Sequence, residues 1–119
     1  MKKKKKILII GCGNMGSAII NQLLESDFVS KQALLVFDKS KKSHLSGIVM
    51  ASDLQKAVAK SDIIILAIKP QQFELLAQEL RGCLREDQLV ISIMAGVTYQ
   101  YISHALEHKK VVRTMPNLA

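Results

Sequence analysis

Three glycines in the spacing G-x-G-x-x-G are the residues of this sequence whose types and positions could bind a ligand. Gly11, Gly13 and Gly16 directly follow the apolar run Ile7–Ile10 and precede a helical pattern of apolar residues. A strand, a glycine loop and a helix in that order bind the pyrophosphate of a dinucleotide, because the helix N-terminus offers free N–H groups to the anion. Gly11 permits the tight turn, Gly13 lets the backbone approach the phosphates, and Gly16 lets the helix pack closely on the strand. The alternative is a tight strand–helix turn without a ligand.

An acidic residue follows the second apolar run at the distance expected of a ribose-binding carboxylate. Asp38 comes directly after Leu34–Phe37 and lies 22 positions after Gly16, near the roughly 20 that is typical of dinucleotide sites. A carboxylate can accept hydrogen bonds from both ribose hydroxyls and would repel a 2′-phosphate, which favours NAD(H). Three cations that follow favour NADP(H) instead: Lys39, Lys41 and Lys42. The residues therefore leave NADP(H) and NAD(H) both open.

The elements that must position these residues alternate between strands and helices. Apolar runs predict six strands, at Ile7–Ile10, Leu34–Phe37, Gly47–Met50, Ile63–Ile68, Leu89–Ile93 and Val111–Arg113. Helices are predicted after the glycine loop, after a Ser52-x-x-Gln55 capping box, over Gln71–Leu80, and over Tyr99–His108 with a Thr98 cap. This alternation implies a parallel sheet with right-handed crossovers. We expect an α/β, Rossmann-like doubly wound, mostly parallel sheet in a single three-layer domain over residues 7–119.

Further candidate residues follow the later strands, since ligands of such sheets lie outside the carboxyl ends of the strands. Lys69-Pro70 follows the fourth run, Ala95-Gly96 the fifth, and Met115-Pro116-Asn117 comes after the sixth. Lys69 would place a positive charge near a cofactor, or it is a solvated loop lysine. Ala95-Gly96 would permit close backbone approach, or it is only a turn. Asn117 could hydrogen-bond a ligand amide, or cap a following helix.

The formal net charge of +7 is concentrated at the start of the chain. Lys2 to Lys6 carry five of these charges and leave +2 for the rest. Residues 1–6 are therefore predicted to be a flexible basic tail, and no aromatic or groove motif supports nucleic acid as a partner. The apolar run behind the tail is too short for a secretory signal, and no run is long enough to span a membrane. Cys12 and Cys83 form no C-x-x-C motif, which favours reduced thiols in a cytoplasmic protein.

Metal and acid–base sites find little support in the sequence. His104 and His108 have the i, i+4 spacing of a zinc pair, but no third ligand lies near them in the sequence. His108 is predicted instead to complement the negative C-terminal end of the last helix. Three glutamates are placed on outward helix faces: Glu25, Glu74 and Glu79. We therefore assign no metal ligand and no catalytic residue.

Four segments together resemble the pyrroline-5-carboxylate reductase family. They are GCGNMG at residues 11–16, AIKPQ at 67–71, SIMAGV at 92–97 and RTMPN at 113–117. Asn14-Met15 in the loop and Met115-Pro116-Asn117 are specific for that family. The segments match the family in order, along the full length of the chain.

The resemblance assigns these segments to parts of a bound cofactor. The pyrophosphate would be held by Gly11, Cys12, Gly13, Asn14, Met15 and Gly16. The adenosine ribose would face Asp38, Lys39 and Ser40. The cofactor groove would be lined by Ala67, Ile68, Lys69 and Pro70. The nicotinamide and the substrate entry would be flanked by Ala95, Gly96, Met115, Pro116 and Asn117.

The resemblance also implies an activity. Members of the family transfer a hydride from the nicotinamide to the C=N carbon of pyrroline-5-carboxylate and so form proline, and the resemblance slightly favours NADP(H). They are homo-oligomers and continue into a helical second domain that pairs the subunits, binds the substrate carboxylate and carries the proton donor. The chain ends at Ala119, and that second domain is expected to be absent from it. We therefore expect weak NAD(P)H binding and little turnover from these residues alone.

Two other functions fit the same sequence. The chain could be a non-catalytic module that senses or sequesters a nucleotide, or a domain of a related reductase such as a hydroxyacid or deazaflavin-dependent enzyme. Met115-Pro116-Asn117 argues against the related reductase. The gene beyond codon 119 separates the first two hypotheses, because an open frame encoding a helical dimerisation domain favours the reductase and a stop codon favours the module.

Overall fold

Six parallel strands form the framework of the protein. The structure, a computed structural model, describes residues 5–11, 13–26, 30–38 and 48–114. Its strands are β1 (Ile7–Ile10), β2 (Leu34–Phe37), β3 (Val49–Met50), β4 (Ile63–Leu66), β5 (Leu89–Ser92) and β6 (Val111–Arg113). They form one sheet in the order β3-β2-β1-β4-β5-β6, and every pair of neighbours is parallel. This order confirms the doubly wound fold predicted from the sequence.

Four α-helices cover the two faces of the sheet. They are α1 (Asn14–Glu25), α2 (Leu54–Lys60), α3 (Phe73–Leu80) and α4 (Tyr99–Leu106), and short 3₁₀ turns at Lys31–Ala33 and Pro70–Gln72 precede β2 and α3. Residues of α2, α3 and α4 pack on one face in the same cluster as Leu8 and Ile10. Residues of α1 pack on the other face in the cluster that contains Ile7 and Ile9. The described elements thus form three layers.

Strand β1 lies at the centre of the sheet and is buried on both faces. All four of its residues are at most 2% exposed. Its neighbours are β2 and β4, with Ile10 paired to Phe37 on one side and to Leu66 on the other. A parallel strand that is covered on both faces reads as an unbroken apolar run, and each fully buried Ile or Leu contributes about 1.5–3 kcal/mol. The run Ile7–Ile10 therefore fixes the position of the loop that follows it.

Several predicted element boundaries are wrong by a few residues. Residue 48 lies outside β3, while Gly47 lies outside the described residues, and β4 and β5 end at Leu66 and Ser92. The apolar runs outlast the strands because Ala67, Ile68 and Ile93 stay buried or half-buried beyond the last strand residues. The predicted helix Gln71–Leu80 is a 3₁₀ turn followed by α3, and the last helix ends at Leu106. Of the predicted basic tail, Lys6 is held by Asp62, whose carboxylate accepts from its backbone N–H at 2.9 Å.

The N-terminal cap of α2 is a correction to the sequence prediction. Asp53 is the cap, and its carboxylate accepts a hydrogen bond from the backbone N–H of Lys56 at 3.1 Å. The predicted capping box at Ser52 is therefore displaced by one residue. The cap predicted for α4 is confirmed, since the hydroxyl of Thr98 accepts from the backbone N–H of Tyr101 at 3.1 Å.

The amino ends of the strands are joined by a buried polar network around Gln88. This side chain is fully buried, and its amide nitrogen donates to the carbonyl oxygens of Val58 and Ser61 at 2.7 and 2.8 Å. Its amide oxygen accepts from the backbone N–H of Arg85 at 2.7 Å. The same carbonyls also accept from other groups, Val58 from the backbone N–H of Ser61 at 3.1 Å and Ser61 from the guanidinium of Arg85 at 3.3 Å. The network therefore anchors the start of β5 to the end of α2.

His108 belongs to this network, which overturns its predicted role at a helix end. Its side chain is 6% exposed, and its Nε2 lies 2.6 Å from the carbonyl oxygen of Gln88. The left-handed residue that ends α4 is Glu107, at φ 52°. Backbone N–H groups of residues 107 and 108 cap the helix carbonyls, so the imidazole is used for packing and for its bond to Gln88.

We predict that Gln88→Ala lowers the free energy of unfolding by about 2–4 kcal/mol, because it removes three hydrogen bonds made by a fully buried side chain. Urea denaturation followed by circular dichroism measures this in a chain that has no tryptophan. The control is Gln78→Ala, an exposed position on α3, for which a change below about 0.5 kcal/mol is expected. Equal losses in the two variants would contradict the role of the network.

Candidate functional site

The candidate residues after β1, β2 and β4 form one row at the carboxyl edge of the sheet. The backbone N–H of Gly11 donates to the carbonyl oxygen of Phe37 at 2.8 Å. The N–H of Ala67 donates to the carbonyl oxygen of Ile10, also at 2.8 Å. Extending the strand register by one residue places Gly11 between Asp38 and Ala67. Residues that are far apart in sequence are thus brought to one edge.

The row continues across the two remaining strands. The N–H of Ile93 donates to the carbonyl oxygen of Leu66 at 3.2 Å, and the N–H of Thr114 donates to that of Ser92 at 2.9 Å. The residues that follow β5 and β6 therefore begin at the same edge as those that follow β4. This matches the expectation that the candidate residues converge at the carboxyl ends of the strands.

The chain changes sides of the sheet between β1 and β4. From β1 the chain passes through α1 on one face to β2, and from β3 it passes through α2 on the other face to β4. The strands β1 and β4 are neighbours in the sheet, so the connections diverge between them. Open parallel sheets bind their ligands at such a switch point.

Gly11 and Gly16 are required by the close approach of backbone to backbone. Gly11 has φ +98°, and a Cβ atom there would lie 2.7 Å from the carbonyl oxygen of Ala67 and 3.0 Å from Cγ2 of Ile68. A Cβ atom on Gly16 would lie 2.7 Å from the carbonyl oxygen of Gly11. A side chain at Gly16 would push α1 away from the strand, and one at Gly11 would push away the segment that follows β4. Gly11 thus has the turn conformation, and Gly16 the close packing, that the sequence predicts.

Gly13 differs from the other two glycines because the space beside it is open. It is exposed, and a Cβ atom there would meet no described atom within 4 Å. It is the N-terminal cap of α1 with φ −80° and ψ −161°, a conformation that does not need glycine. Since residue 13 has no side chain, it makes no side-chain cap hydrogen bond at the N-terminus of α1, and the first turn carries no acidic residue. The loop thus leaves room for an anion where the helix dipole favours one.

The side chains that flank Gly11 differ on its two sides. On the β2 side lies Asp38, which is half-buried. On the β4 side lie Ala67 and Ile68, also half-buried, followed by the exposed Lys69 and Pro70. The backbone N–H of Lys69 donates to the side-chain oxygen of Gln72 at 3.3 Å, which holds the start of the 3₁₀ turn. The edge is therefore acidic beyond β2, apolar beside Gly11, and basic beyond β4.

The turn after β5 brings exposed backbone to the same edge. Ala95 and Gly96 are exposed, and Gly96 has φ +75°. The buried hydroxyl of Ser92 accepts from the backbone N–H of Met94 at 3.2 Å and so fixes the bend. The role of Ser92 was not predicted, although a serine at a strand end is a recognised turn signal. Gly96 has open space around its Cα, so the structure accommodates close approach of a ligand as well as a simple turn.

Some of the predicted site residues lie outside the described residues. They are Cys12, Lys39, Ser40, Met115, Pro116 and Asn117. Their roles therefore stay predictions. Asn14 and Met15 form the first turn of α1, which places their backbone at the open end of the loop.

Two other kinds of feature were sought among the described residues, a cluster of metal ligands and a helix that could span a membrane. Within residues 5–11, 13–26, 30–38 and 48–114, no group of three or more His, Cys, Asp or Glu residues could hold a metal ion. His104 is exposed on α4, while His108 is buried at the amino-end network. Among the helices of the same residues, none combines the length and the apolar character that crossing a bilayer requires.

Comparison with known proteins gives one family match. The sequence model of the family described as NADP oxidoreductase, coenzyme F420-dependent, matches residues 6–96. The match therefore covers β1 through the turn after β5, including every described candidate residue. It covers well over half of the chain.

Individual relatives share one activity name. The chain is 40% identical over 120 residues to a pyrroline-5-carboxylate reductase of Escherichia coli, with 96% of this chain covered. A solved structure of a pyrroline-5-carboxylate reductase from Coxiella burnetii is 30% identical and covers 97% of this chain with a TM-score of 0.86. A crystal structure of the Plasmodium falciparum pyrroline carboxylate reductase with NADP bound is 25% identical and covers 95% of this chain with a TM-score of 0.84.

The chain spans less than half the length of these relatives. The matched part is 45% of the Escherichia coli protein, 45% of the Coxiella chain and 42% of the Plasmodium chain. The similarity therefore concerns the dinucleotide-binding type of fold and its carboxyl edge. The remaining part of each relative has no counterpart among these residues.

We predict opposite outcomes for alanine at two glycines of the loop. Gly16→Ala should lower the free energy of unfolding by about 1–3 kcal/mol, because its Cβ atom meets the carbonyl oxygen of Gly11 and α1 must shift. Gly13→Ala should change it by less than about 0.5 kcal/mol, since the added methyl group enters open space. Urea denaturation of both variants provides the measurement, and a larger loss for Gly13→Ala would overturn this description of the loop.

Proposed function

Because this chain belongs to the family described as NADP oxidoreductase, coenzyme F420-dependent, we propose that its carboxyl edge binds NAD(P)H for a pyrroline-5-carboxylate reductase. The observation that carries the proposal is the asymmetry of the glycine loop. Close packing leaves no room for a side chain at Gly11 and Gly16, while the space beside Gly13 is open. A loop built only for a tight turn has no need of glycine at residue 13, whose backbone conformation suits any residue.

The strand order supports one orientation of a dinucleotide along the edge. Its pyrophosphate would rest on Gly13 and the N-terminus of α1, between the two halves of the sheet. The adenosine half would extend over β2 towards Asp38, and towards Lys39 and Ser40 that follow it. The nicotinamide half would extend over β4 and β5, towards residues 67–70, 95–96 and 115–117. These directions agree with the parts that the family resemblance assigns to each segment.

The residues of this chain would position the cofactor and keep water from one side of it. Ala67 and Ile68 form a half-buried apolar wall directly beside Gly11. The cofactor itself supplies the hydride, which passes to the C=N carbon of pyrroline-5-carboxylate while a proton joins the nitrogen, giving proline. Lys69 places a cation beyond the wall, where it would attract an anionic group of cofactor or substrate. We propose no proton donor within this part of the enzyme.

The complete enzyme would require more than the residues described. The relatives are more than twice as long as the matched part. We propose that a helical region of the complete protein binds the substrate carboxylate, carries the proton donor and pairs two copies of the chain. The proposed partners are therefore the small-molecule substrate and a second copy, with neither nucleic acid nor membrane involved. The two separate cysteines support a cytoplasmic location, where thiols stay reduced.

We predict that Gly13→Val abolishes binding of NADH and NADPH while the chain stays folded. Its branched side chain would occupy the space where the pyrophosphate must approach the backbone, and its Cβ atom would meet no described atom within 4 Å. Titration of each nucleotide, followed by the shift in thermal unfolding, measures binding and folding together. The control is Ala59→Val, an exposed residue near the end of α2 at the opposite edge of the sheet.

Unaltered NADPH and NADH binding by the Gly13→Val variant would show that the loop assignment is wrong. The activity is tested separately, by following NAD(P)H oxidation in the presence of pyrroline-5-carboxylate. We expect the 119-residue chain to bind the nucleotide and to turn over little. Rapid proline formation by this chain would refute the proposal that turnover needs a further region of the complete protein.

A further inference from the structure

Ser92 is the last residue of β5, and it connects the sheet to the exposed turn that follows. In the sheet it lies between Leu66 of β4 and Arg113 of β6. Its carbonyl oxygen accepts from the backbone N–H of Thr114 at 2.9 Å, which extends the pairing of β5 with β6 by one residue. Its side chain is 1% exposed, and its hydroxyl oxygen accepts from the backbone N–H of Met94 at 3.2 Å. Ser92 is therefore a fixed point from which the turn departs.

The turn after Ser92 is buried at its two ends and exposed in its middle. Met94 and Val97 are 4% and 9% exposed and belong to the apolar cluster under α2, α3 and α4. Ala95 and Gly96 lie between them and are exposed. Burial of apolar side chains has no preferred direction, whereas a hydrogen bond does. The bond from Met94 to the hydroxyl of Ser92 therefore determines how the exposed backbone of the turn is oriented.

We propose that Ser92 is a positioning residue for the nicotinamide half of the bound dinucleotide. This inference rests on the proposed function, in which that half extends over β4 and β5 towards residues 95–96. The side chain of Ser92 is buried, so it would act without touching the nucleotide. It would hold the backbone of residues 94–96 at the height where a flat ring can lie against Ala95 and Gly96.

Loss of the hydroxyl should move the turn while the sheet stays intact. The pairing of Ser92 with β4 and β6 is made by its backbone and does not need its side chain. The N–H of the buried residue Met94 would lose its acceptor, and a buried donor without a partner is costly. The turn would therefore shift until that N–H reaches water or another acceptor. Contacts of the nicotinamide ring would weaken, whereas those of the pyrophosphate at Gly13 would persist.

The test compares two ligands that differ by the nicotinamide ring, NADH and ADP-ribose, in titrations of the 119-residue chain. NADPH and 2′-phospho-ADP-ribose replace them if that pair binds more tightly. We expect Ser92→Ala to weaken binding of the dinucleotide by roughly threefold to tenfold and that of ADP-ribose by less than about twofold. The shift in thermal unfolding follows each titration and shows at the same time that the variant is folded.

The matched control is Ser61→Ala. Ser61 is also fully buried, and its hydroxyl donates to the carbonyl oxygen of Ala57 at 2.8 Å. It lies just before β4, at the amino edge of the sheet. This control removes a buried hydroxyl that is bonded to backbone, as Ser92→Ala does, and we expect it to lower stability without changing the ratio of the two affinities.

Two further variants separate the hydrogen bond from the size of the side chain. Ser92→Cys keeps nearly the same volume, but sulfur is a weak acceptor, so the ratio of NADH to ADP-ribose affinity should fall as it does for alanine. Ser92→Thr keeps the hydroxyl and should keep the ratio of the unmodified chain.

The positioning role would be overturned if Ser92→Ala weakened NADH and ADP-ribose equally, or if neither Ser92→Ala nor Ser92→Cys weakened NADH. It would also be overturned if Ser61→Ala or Ser92→Thr lowered the ratio as much as Ser92→Ala. In all of these outcomes the unmodified chain still binds the nucleotide, so the proposed function stands. Failure of the unmodified chain to bind both NADH and NADPH would instead remove the proposed function together with this inference.

Discussion

The close approach of Gly16 to the carbonyl oxygen of Gly11 is the contact on which the rest of the site depends. A Cβ atom on Gly16 would lie 2.7 Å from that oxygen, and one on Gly11 would lie 2.7 Å from the carbonyl oxygen of Ala67. Three backbones, those of β1, α1 and the segment after β4, therefore meet at a distance that no side chain permits. This contact directs the N-terminus of α1 at the switch point of the sheet.

The two edges of the sheet differ in whether side chains form hydrogen bonds to the backbone groups at the helix ends. At the amino edge, side chains bond to the carbonyls at the end of α2, since Gln88 donates to Val58 and Ser61 and Arg85 donates to Ala59. At the carboxyl edge, the cap of α1 is a glycine that has no side chain to offer. A fold must satisfy its buried polar groups, but it can leave exposed ones for a ligand.

The sequence predicted the parts of the fold whose signals are local. The apolar run Ile7–Ile10 followed by the glycine spacing indicated a buried strand, a turn and a helix. Each of these elements depends on residues that are adjacent in the sequence. The start of α2 was wrong by one residue, since Ser52 and Asp53 are equally good caps and the choice depends on how the helix packs. The bond between His108 and Gln88 joins residues 20 positions apart, and no local pattern predicts such a pair.

The sequence predicted the part of the candidate site whose arrangement follows from backbone geometry. The parallel register alone brings Asp38, Gly11 and Ala67 into one row, because residues that follow paired parallel strands must emerge at one edge. Register does not determine what a side chain in that row contacts. The bend fixed by Ser92 depends on a hydroxyl that bonds to its own backbone two residues later. Backbone geometry thus brings the candidate residues to one edge, whereas the contacts of each side chain there depend on interactions that the register does not encode.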